Sequence, residues 1–304
     1  MPDVINIPAF AKINWVLRVL GRRSDQYHEI ETVLQTISLH DRLSFRKSTD
    51  GKITFSCDDP SLPADRSNLV SRAAHALRAR CKIDHGAHIS LEKRVPVGSG
   101  LGGGSSDAAM TLVGLSRLWN LRLSRAEILS TAAELGADVP FFLVGGRALG
   151  VGTGTHVTTL PDVPDQYLLI LMPKVSVSTK MAYESLNAPA LTTVSGDTIL
   201  SSSRKGSGSD LSYPQELQND FEVAVLRLHP EIATARQALL STGARTAMLA
   251  GSGASVFGVF ENKEAQERAI QAVKMEAGWR LFPCKTVGRE DYFEAVGQTF
   301  LSGL

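Results

Sequence analysis

The sequence predicts an α+β fold. Three observations carry that reading: alternating, strand-like stretches open the chain; helical stripes follow a glycine-rich segment near its centre; and strands and helices then mix without regular βαβ alternation. At 304 residues the chain is long enough for one large domain or two ordinary ones. A shift in composition divides it into an N-terminal unit, 1–163, and a C-terminal unit, 164–304.

From Ile5 to Leu20 the residues alternate, with Ile13, Trp15 and Leu17 on one face and Lys12, Asn14 and Arg18 on the other. The polar stretch 21–28 reads as a loop, and Glu31 to Arg46 is again β-rich. Leu69, Ala73, Ala76 and Leu77 stand at helical spacing within 68–80. His88–Lys93 alternates and runs through Val95-Pro96 into the glycine-rich segment. Ala108, Leu112, Leu115 and Trp119 then form a helical stripe, and 125–135 forms a second, closed by Gly136 where a helix end favours glycine. Asp162–Asp165 reads as a linker and Tyr167–Met172 as a buried strand. Residues 195–212, rich in Ser, Gly and Asp, read as a long mobile loop. Helices are expected at 219–228, 232–240 and 264–276, and strands at 245–249, 255–260 and 279–287. No internal repeat is present.

Composition removes several function classes. Lys and Arg number 32 against 31 Asp and Glu, so a dedicated nucleic-acid binder, with its basic excess, is not expected. The apolar run at 167–172 falls far short of the ~20 residues that span a membrane. The N-terminus lacks the basic start and apolar core of a signal peptide. Cys57, Cys81 and Cys284 have neither disulfide nor zinc spacing, and no metal-ligand set is expected. These features predict a soluble cytoplasmic protein; that it is a monomer or weak homodimer acting on a small molecule is a separate expectation.

Chemistry concentrates in Pro96-Val-Gly-Ser-Gly-Leu-Gly-Gly-Gly-Ser-Ser-Asp-Ala-Ala109. Five glycines let backbone N–H groups approach a ligand, and Ser105 or Ser106 could cap the following helix, whose positive end then faces the loop. Such an arrangement binds phosphate. Gly98, Gly100 and Gly103 match G-x-G-x-x-G, but the acidic strand end that a dinucleotide site needs ~20 residues later falls inside a helix. No Gly-Lys-Ser/Thr follows, and His40-Asp41-Arg42 is not the order of a protein-kinase catalytic loop.

The segment from Pro96 to Ser106 closely resembles the central ATP-binding motif of the GHMP kinases (galactokinase, homoserine kinase, mevalonate kinase, phosphomevalonate kinase). Ala11-Lys-Ile-Asn14 is similar to their N-terminal motif, and Leu249-Ala-Gly-Ser-Gly-Ala-Ser255 to their C-terminal glycine motif. With Tyr27-His28 and Gly136-Ala-Asp-Val-Pro140, the set resembles the branch that acts on a cytidine diphosphate-linked methylerythritol, in non-mevalonate isoprenoid synthesis. Gln26 stands where that branch usually has glycine, Ala250 where a hydroxyl is common, and the stretch 195–212 is longer than usual.

The resemblance implies a two-lobed GHMP kinase fold, with a ribosomal-protein-S5-like N-terminal lobe, a ferredoxin-like C-terminal lobe and the active site in the cleft between them. It implies transfer of the ATP γ-phosphoryl to the substrate's 2-hydroxyl, with Mg²⁺ arriving on ATP. Nucleotide contacts are implied for Pro96, Val97, Gly98, Ser99, Gly100, Leu101, Gly102, Gly103, Gly104, Ser105 and Ser106, together with Lys93. Asp138 is implied as the base that takes the hydroxyl proton, and Lys12 as the cation that steadies the transferring phosphoryl. On the substrate side, Tyr27 is implied to stack on cytosine, His28 and Asn14 to bond its polar edge, Thr179 to touch the reacting end, and Gly251 and Ser252 to line the cleft.

Taken alone, several of these residues have plainer readings. Lys12 and Asn14 suit a solvated strand face, Lys93 a strand end in solvent, Asp138 the cap of a short helix at 139–144, and Tyr27-His28 a surface loop. Asp107 suits a helix start, yet a carboxylate beside phosphates is unfavourable unless it turns away or meets Mg²⁺ through water. The rivals are a homoserine- or mevalonate-type kinase and a non-catalytic nucleotide sensor.

Overall fold

A computed structural model describes residues 4–186, 188–189 and 217–297; the Ser-rich stretch 195–212 lies outside them. Strands β1 (Ile5–Arg22) and β2 (His28–Ser48) pair antiparallel as a long ribbon. Strand β4 (Gly86–Glu92) runs antiparallel to β2 and takes β3 (Ile53–Cys57) as a parallel neighbour. On its inner half β2 pairs with β5 (Arg147–Gly152), which pairs with β6 (His156–Thr159). The two-residue β8 (Gln218–Asn219) joins beside β1 and completes a seven-stranded sheet.

Helices α1 (Leu69–Cys81), α2 (Gly103–Leu118), α3 (Arg125–Leu135) and the four-residue α4 (Val139–Phe142) share a core with this sheet. Helix α2 lies so close to β2 that a Cβ on Gly114 would come within 2.3 Å of the Phe45 ring. Its central position explains why nearly all of α2 is buried.

The second sheet holds β7 (Tyr167–Met172), β9 (Thr246–Leu249), β10 (Val256–Phe260) and β11 (Arg280–Lys285), in the antiparallel order β11-β7-β10-β9. That order, fourth–first–third–second in the chain, is the ferredoxin-like arrangement the resemblance implies. Helices α5 (Thr179–Ser185), α6 (Phe221–Leu228), α7 (Pro230–Ser241) and α8 (Lys263–Ala272) accompany it. The last helix, α9 (Arg289–Val296), returns to the first lobe, where Tyr292 is fully buried and donates to the Phe142 carbonyl. We propose the division between lobes near residue 163, with β8 and α9 as returns of the chain to the first lobe.

The β1–β2 register shifts between Phe10 and Ala11, where Ser38 and Leu39 of β2 are extra, and β1 meets two different cores along its length. Ile7 and Ala9 point into the first core, whereas Ala11, Ile13 and Trp15 point into a third cluster with Leu168, Ile170, Phe257 and Val259 of the second sheet. Trp15 meets Phe257 edge-on, with centroids 5.7 Å apart. An apolar seam thus joins the lobes and leaves the other face of β1, with Lys12 and Asn14, at the floor of the cleft.

Three local expectations change. Helix α2 starts at Gly103 with Gly102 as its N-cap at φ +72°, so neither Ser105 nor Ser106 caps it. Helix α8 ends at Ala272, because Val273 is extended. Strands β3, β5, β6 and β8 and helices α5 and α9 are further elements beyond those expected, with Asn219 in β8 rather than at the start of the helix expected at 219–228.

Candidate active site

The glycine-rich loop runs from β4 to α2. Gly98, Gly100 and Gly102 have φ of +67°, +78° and +72°, a left-handed backbone that only glycine adopts freely. At Gly100 the need is also spatial, since a Cβ there would lie 1.9 Å from the Ala250 carbonyl oxygen. The loop is packed, backbone to backbone, on the second glycine turn: Ala254 N–H donates to Gly98 O at 3.3 Å and Ser255 N–H to Ser99 O at 3.1 Å. Asn219 holds that turn from behind, donating to the carbonyls of Leu249 and Gly251.

Lys12 and Asn14 are buried, so the solvated-face reading fails; both glycine turns close on Lys12, where a Cβ on Gly102 or Gly251 would lie 3.1 Å from its side chain. Lys12 N–H donates to Leu101 O at 2.9 Å, which ties β1 to the loop. Its ammonium donates to Asn14 Oδ1 at 2.8 Å, Asn14 Nδ2 to Thr32 Oγ1 at 2.7 Å, and Thr32 Oγ1 to Val16 O at 2.7 Å. The same ammonium stands 3.6 Å from Asp138 Oδ2. Asp138 does sit at the N-cap of α4, but its carboxylate makes no capping hydrogen bond among the described residues and faces Lys12 instead. A buried ammonium needs such partners, and a half-exposed carboxylate beside it stays open to a ligand.

Tyr27 projects from the β1–β2 loop, 66% exposed, while Arg23 N–H closes the loop on its carbonyl at 2.7 Å. His28 is not a free surface histidine: its ring stacks on Tyr183 at 4.5 Å, and Tyr183 meets Phe221 edge-on at 4.8 Å. Burial, with Arg22 adding to it, lowers the His28 pKa from its ordinary value, which favours the neutral ring. Thr179, at the start of α5, shares a hydrogen bond of 3.1 Å with Ser252 of the second glycine turn.

Lys93 is corrected most. It is neither a solvent lysine nor a cation free to take a phosphate, because its ammonium is held between Asp41 Oδ2 at 2.5 Å and Asp107 Oδ2 at 2.7 Å. Asp107 therefore turns toward Lys93. Burial nevertheless holds its carboxyl well above the usual carboxylate range, with Lys93 pulling it down and Asp41 pushing it up. Within the loop, the Leu101 side chain belongs to the seam between lobes and the Ser106 hydroxyl is buried in α2, so both turn away from the cleft. The Ser99 hydroxyl braces the loop internally by donating to Pro96 O at 2.6 Å.

One cavity of about 1330 Å³ gathers Lys12, Asn14, Tyr27, His28, Lys93, Asp138, Thr179, Gly251, Ser252 and the rest of the glycine loop. A pocket for one drug-sized ligand measures ~300–1,000 Å³, so this space is large enough for two ligands side by side. Among the described residues no group of three or more His, Cys, Asp or Glu could hold a metal ion.

Comparison with known proteins agrees with this geometry. Residues 68–146 match the family described as GHMP kinases N terminal domain, and 200–277 that described as GHMP kinases C terminal. The chain is 39% identical over 275 residues to 4-diphosphocytidyl-2-C-methyl-D-erythritol kinase of Lachnoclostridium phytofermentans, covering 90% of this chain and 94% of that one. To the enzyme of the same name from Pelotomaculum thermopropionicum it is 41% identical over 264 residues, covering 86% and 91%. The chain belongs to the 4-diphosphocytidyl-2-C-methyl-D-erythritol kinase family. A crystal structure of 4-(cytidine 5'-diphospho)-2C-methyl-D-erythritol kinase superposes with a TM-score of 0.74 at 32% identity, covering 93% of this chain and 100% of that one. Homoserine kinase from Cytophaga hutchinsonii, at 22% identity and a TM-score of 0.66 over 95% and 96% of the two chains, shares the fold.

This member of the 4-diphosphocytidyl-2-C-methyl-D-erythritol kinase family is thus a small-molecule kinase of the GHMP type, for which ATP is the phosphoryl donor. Gln26 takes φ +72°, so it adopts the left-handed backbone that makes glycine usual there, and its side chain accepts from Arg22. Tyr183, Phe221, Asn219 and Asp41 were missed by sequence reasoning. The seven residues of α5 are too few for a periodic signal; the roles of Phe221 and Asn219 depend on how distant segments pack, and that of Asp41 on β2, the end of β4 and α2 coming together within the first lobe.

Proposed function

We propose that the chain transfers the γ-phosphoryl of ATP to the 2-hydroxyl of 4-diphosphocytidyl-2-C-methyl-D-erythritol, giving the 2-phosphate and ADP. One observation carries the reading: a single cavity joins the glycine loop, the Lys12–Asp138 pair and the Tyr27–His28 loop, in that order of chemistry. Phosphoryl transfer needs positioning and charge stabilisation more than covalent help from the protein. The open backbone of Gly98–Gly104 and the start of α2 would hold the phosphates. Asp138 would accept the proton of the attacking hydroxyl, and Lys12, fixed by Asn14, would donate to the developing charge.

At the far end, Tyr27 offers a flat apolar face to cytosine. The neutral His28 ring carries one donor and one acceptor nitrogen for its edge. Tyr183, now covered by His28, is a second aromatic face at the same position. We propose that Mg²⁺ enters on the nucleotide: magnesium keeps several waters and binds chiefly through substrate phosphates. A cytoplasmic enzyme, monomeric or weakly dimeric, is the matching setting; no helix among the described residues is long and apolar enough to cross a membrane.

A substrate panel tests the proposal. ADP release should require the cytidine diphosphate-linked alcohol. Equal release with homoserine or mevalonate would reassign the chain within the superfamily, and nucleotide binding without release would make it a sensor.

A further inference from the structure

Three buried charges lie beneath the glycine loop, and the proposed reaction uses none of them directly. The side chains of Lys93, Asp41 and Asp107 are 6%, 0% and 4% exposed, and the single ammonium bridges both carboxylates. When all three are ionised, the group carries one uncompensated negative charge. Asp41 is well supported, because its Oδ1 accepts from the N–H groups of Arg94 at 2.6 Å and Val95 at 2.7 Å. Asp107 is not: its Oδ1 is buried and has no hydrogen-bond partner among the described residues.

The triad also touches the nucleotide loop. Asp107 stands one helical turn beyond Gly103, the first residue of α2, and lines the cavity together with Gly103, Gly104 and Ser105. Gly103 is seated directly on Lys93: a Cβ there would lie 3.1 Å from Nζ and 2.9 Å from Val95 Cγ1. The ammonium therefore links β2, the end of β4 and α2 immediately below the N–H groups that would receive phosphate.

We infer that Lys93 and Asp107 are positioning residues for the nucleotide. Lys93 pins the Asp107 carboxylate against Asp41, so that it stays off the phosphates while the first turn of α2 is held in place. The charge that Asp107 carries when ionised limits how tightly the nucleotide binds. This rests on the proposed placement of ATP at the glycine loop.

Calorimetric titration of the whole protein with ADP, alongside KM for both substrates, tests it. Asp107→Asn keeps the shape and removes the charge that the carboxylate carries when ionised. Above about pH 7, to which burial has raised its pKa, ADP should therefore bind roughly tenfold tighter, the scale of one partly screened charge pair, with KM for the cytidine substrate unchanged. Lys93→Met strands two carboxylates together and should weaken ADP binding by at least roughly tenfold. The double variant Lys93→Met/Asp107→Asn should recover at least the parent affinity, a rescue that a purely structural lysine would not give. Unchanged ADP affinity in Asp107→Asn, or a double variant no better than Lys93→Met, would overturn the inference. Should Lys93→Met not fold, Asp107→Asn and the double variant decide it alone. If the parent itself binds no ADP, the placement of ATP fails, and the inference with it.

Discussion

Asp138 holds a helix-cap position without capping, and Lys12 is buried without being fully paired; both are arranged as if a ligand completes them. Asp138→Asn should lower kcat by ~10²–10⁴-fold, the usual worth of a general base, and leave substrate KM nearly unchanged. A variant within about twofold of the parent would reduce Asp138 to a structural residue. Lys12→Ala should impair the same step, and Lys12→Arg should restore little. Arginine keeps the charge but presents a wide planar fork in place of a compact ammonium. Full activity of the arginine variant would mean that any nearby positive charge suffices. His28 supplies the pH dependence. Its pKa is lowered below the ordinary value of about 6.5, so the neutral ring is present at pH 7 and is lost only as pH falls below that value. KM for the cytidine substrate should therefore be flat above neutrality and rise on the acid side; a KM unchanged there would remove His28 from recognition.

At the scale of elements, the two glycine turns act as one unit. Gly100→Ala combines a φ of +78° with a Cβ contact of 1.9 Å to the Ala250 backbone, so it should lower Tm and abolish nucleotide binding. Gly104 is different: it is helical, and the nearest atom to an added Cβ is Leu69 Cδ1 at 3.5 Å, so Gly104→Ala should keep or raise Tm. Equal Tm losses in the two variants would contradict this division. The same elements show what could be read in advance. Helix α3 and strand β7 lie where the pattern puts them, because each is a single uninterrupted run with a clear end signal. The glycine loop was legible by composition. Strand β5, with two glycines in six residues, has little alternation to detect, and α5 is too short to show a stripe. Lys12 and Asn14 share one strand face, as the alternation implies. That the face is buried depends on a second lobe whose packing no local pattern records.

For the whole molecule, the apolar seam between the sheets is what makes one site out of two lobes. Leu101 of the glycine loop and Ala250 of the second turn both belong to it, so nucleotide loop and substrate side are fixed to a common floor. We propose that specificity resides at the Tyr27–His28 end of the cavity, so the parent should strongly disfavour a uridine-linked analogue, whose ring reverses the donor and acceptor pattern of cytosine. The most direct measurement is mass and phosphorus NMR analysis of the product formed from ATP and 4-diphosphocytidyl-2-C-methyl-D-erythritol. The account predicts one added phosphoryl group, on the oxygen of the tertiary 2-hydroxyl. Phosphorylation at another hydroxyl, or ATP consumed with no phosphoryl on the substrate, would contradict it.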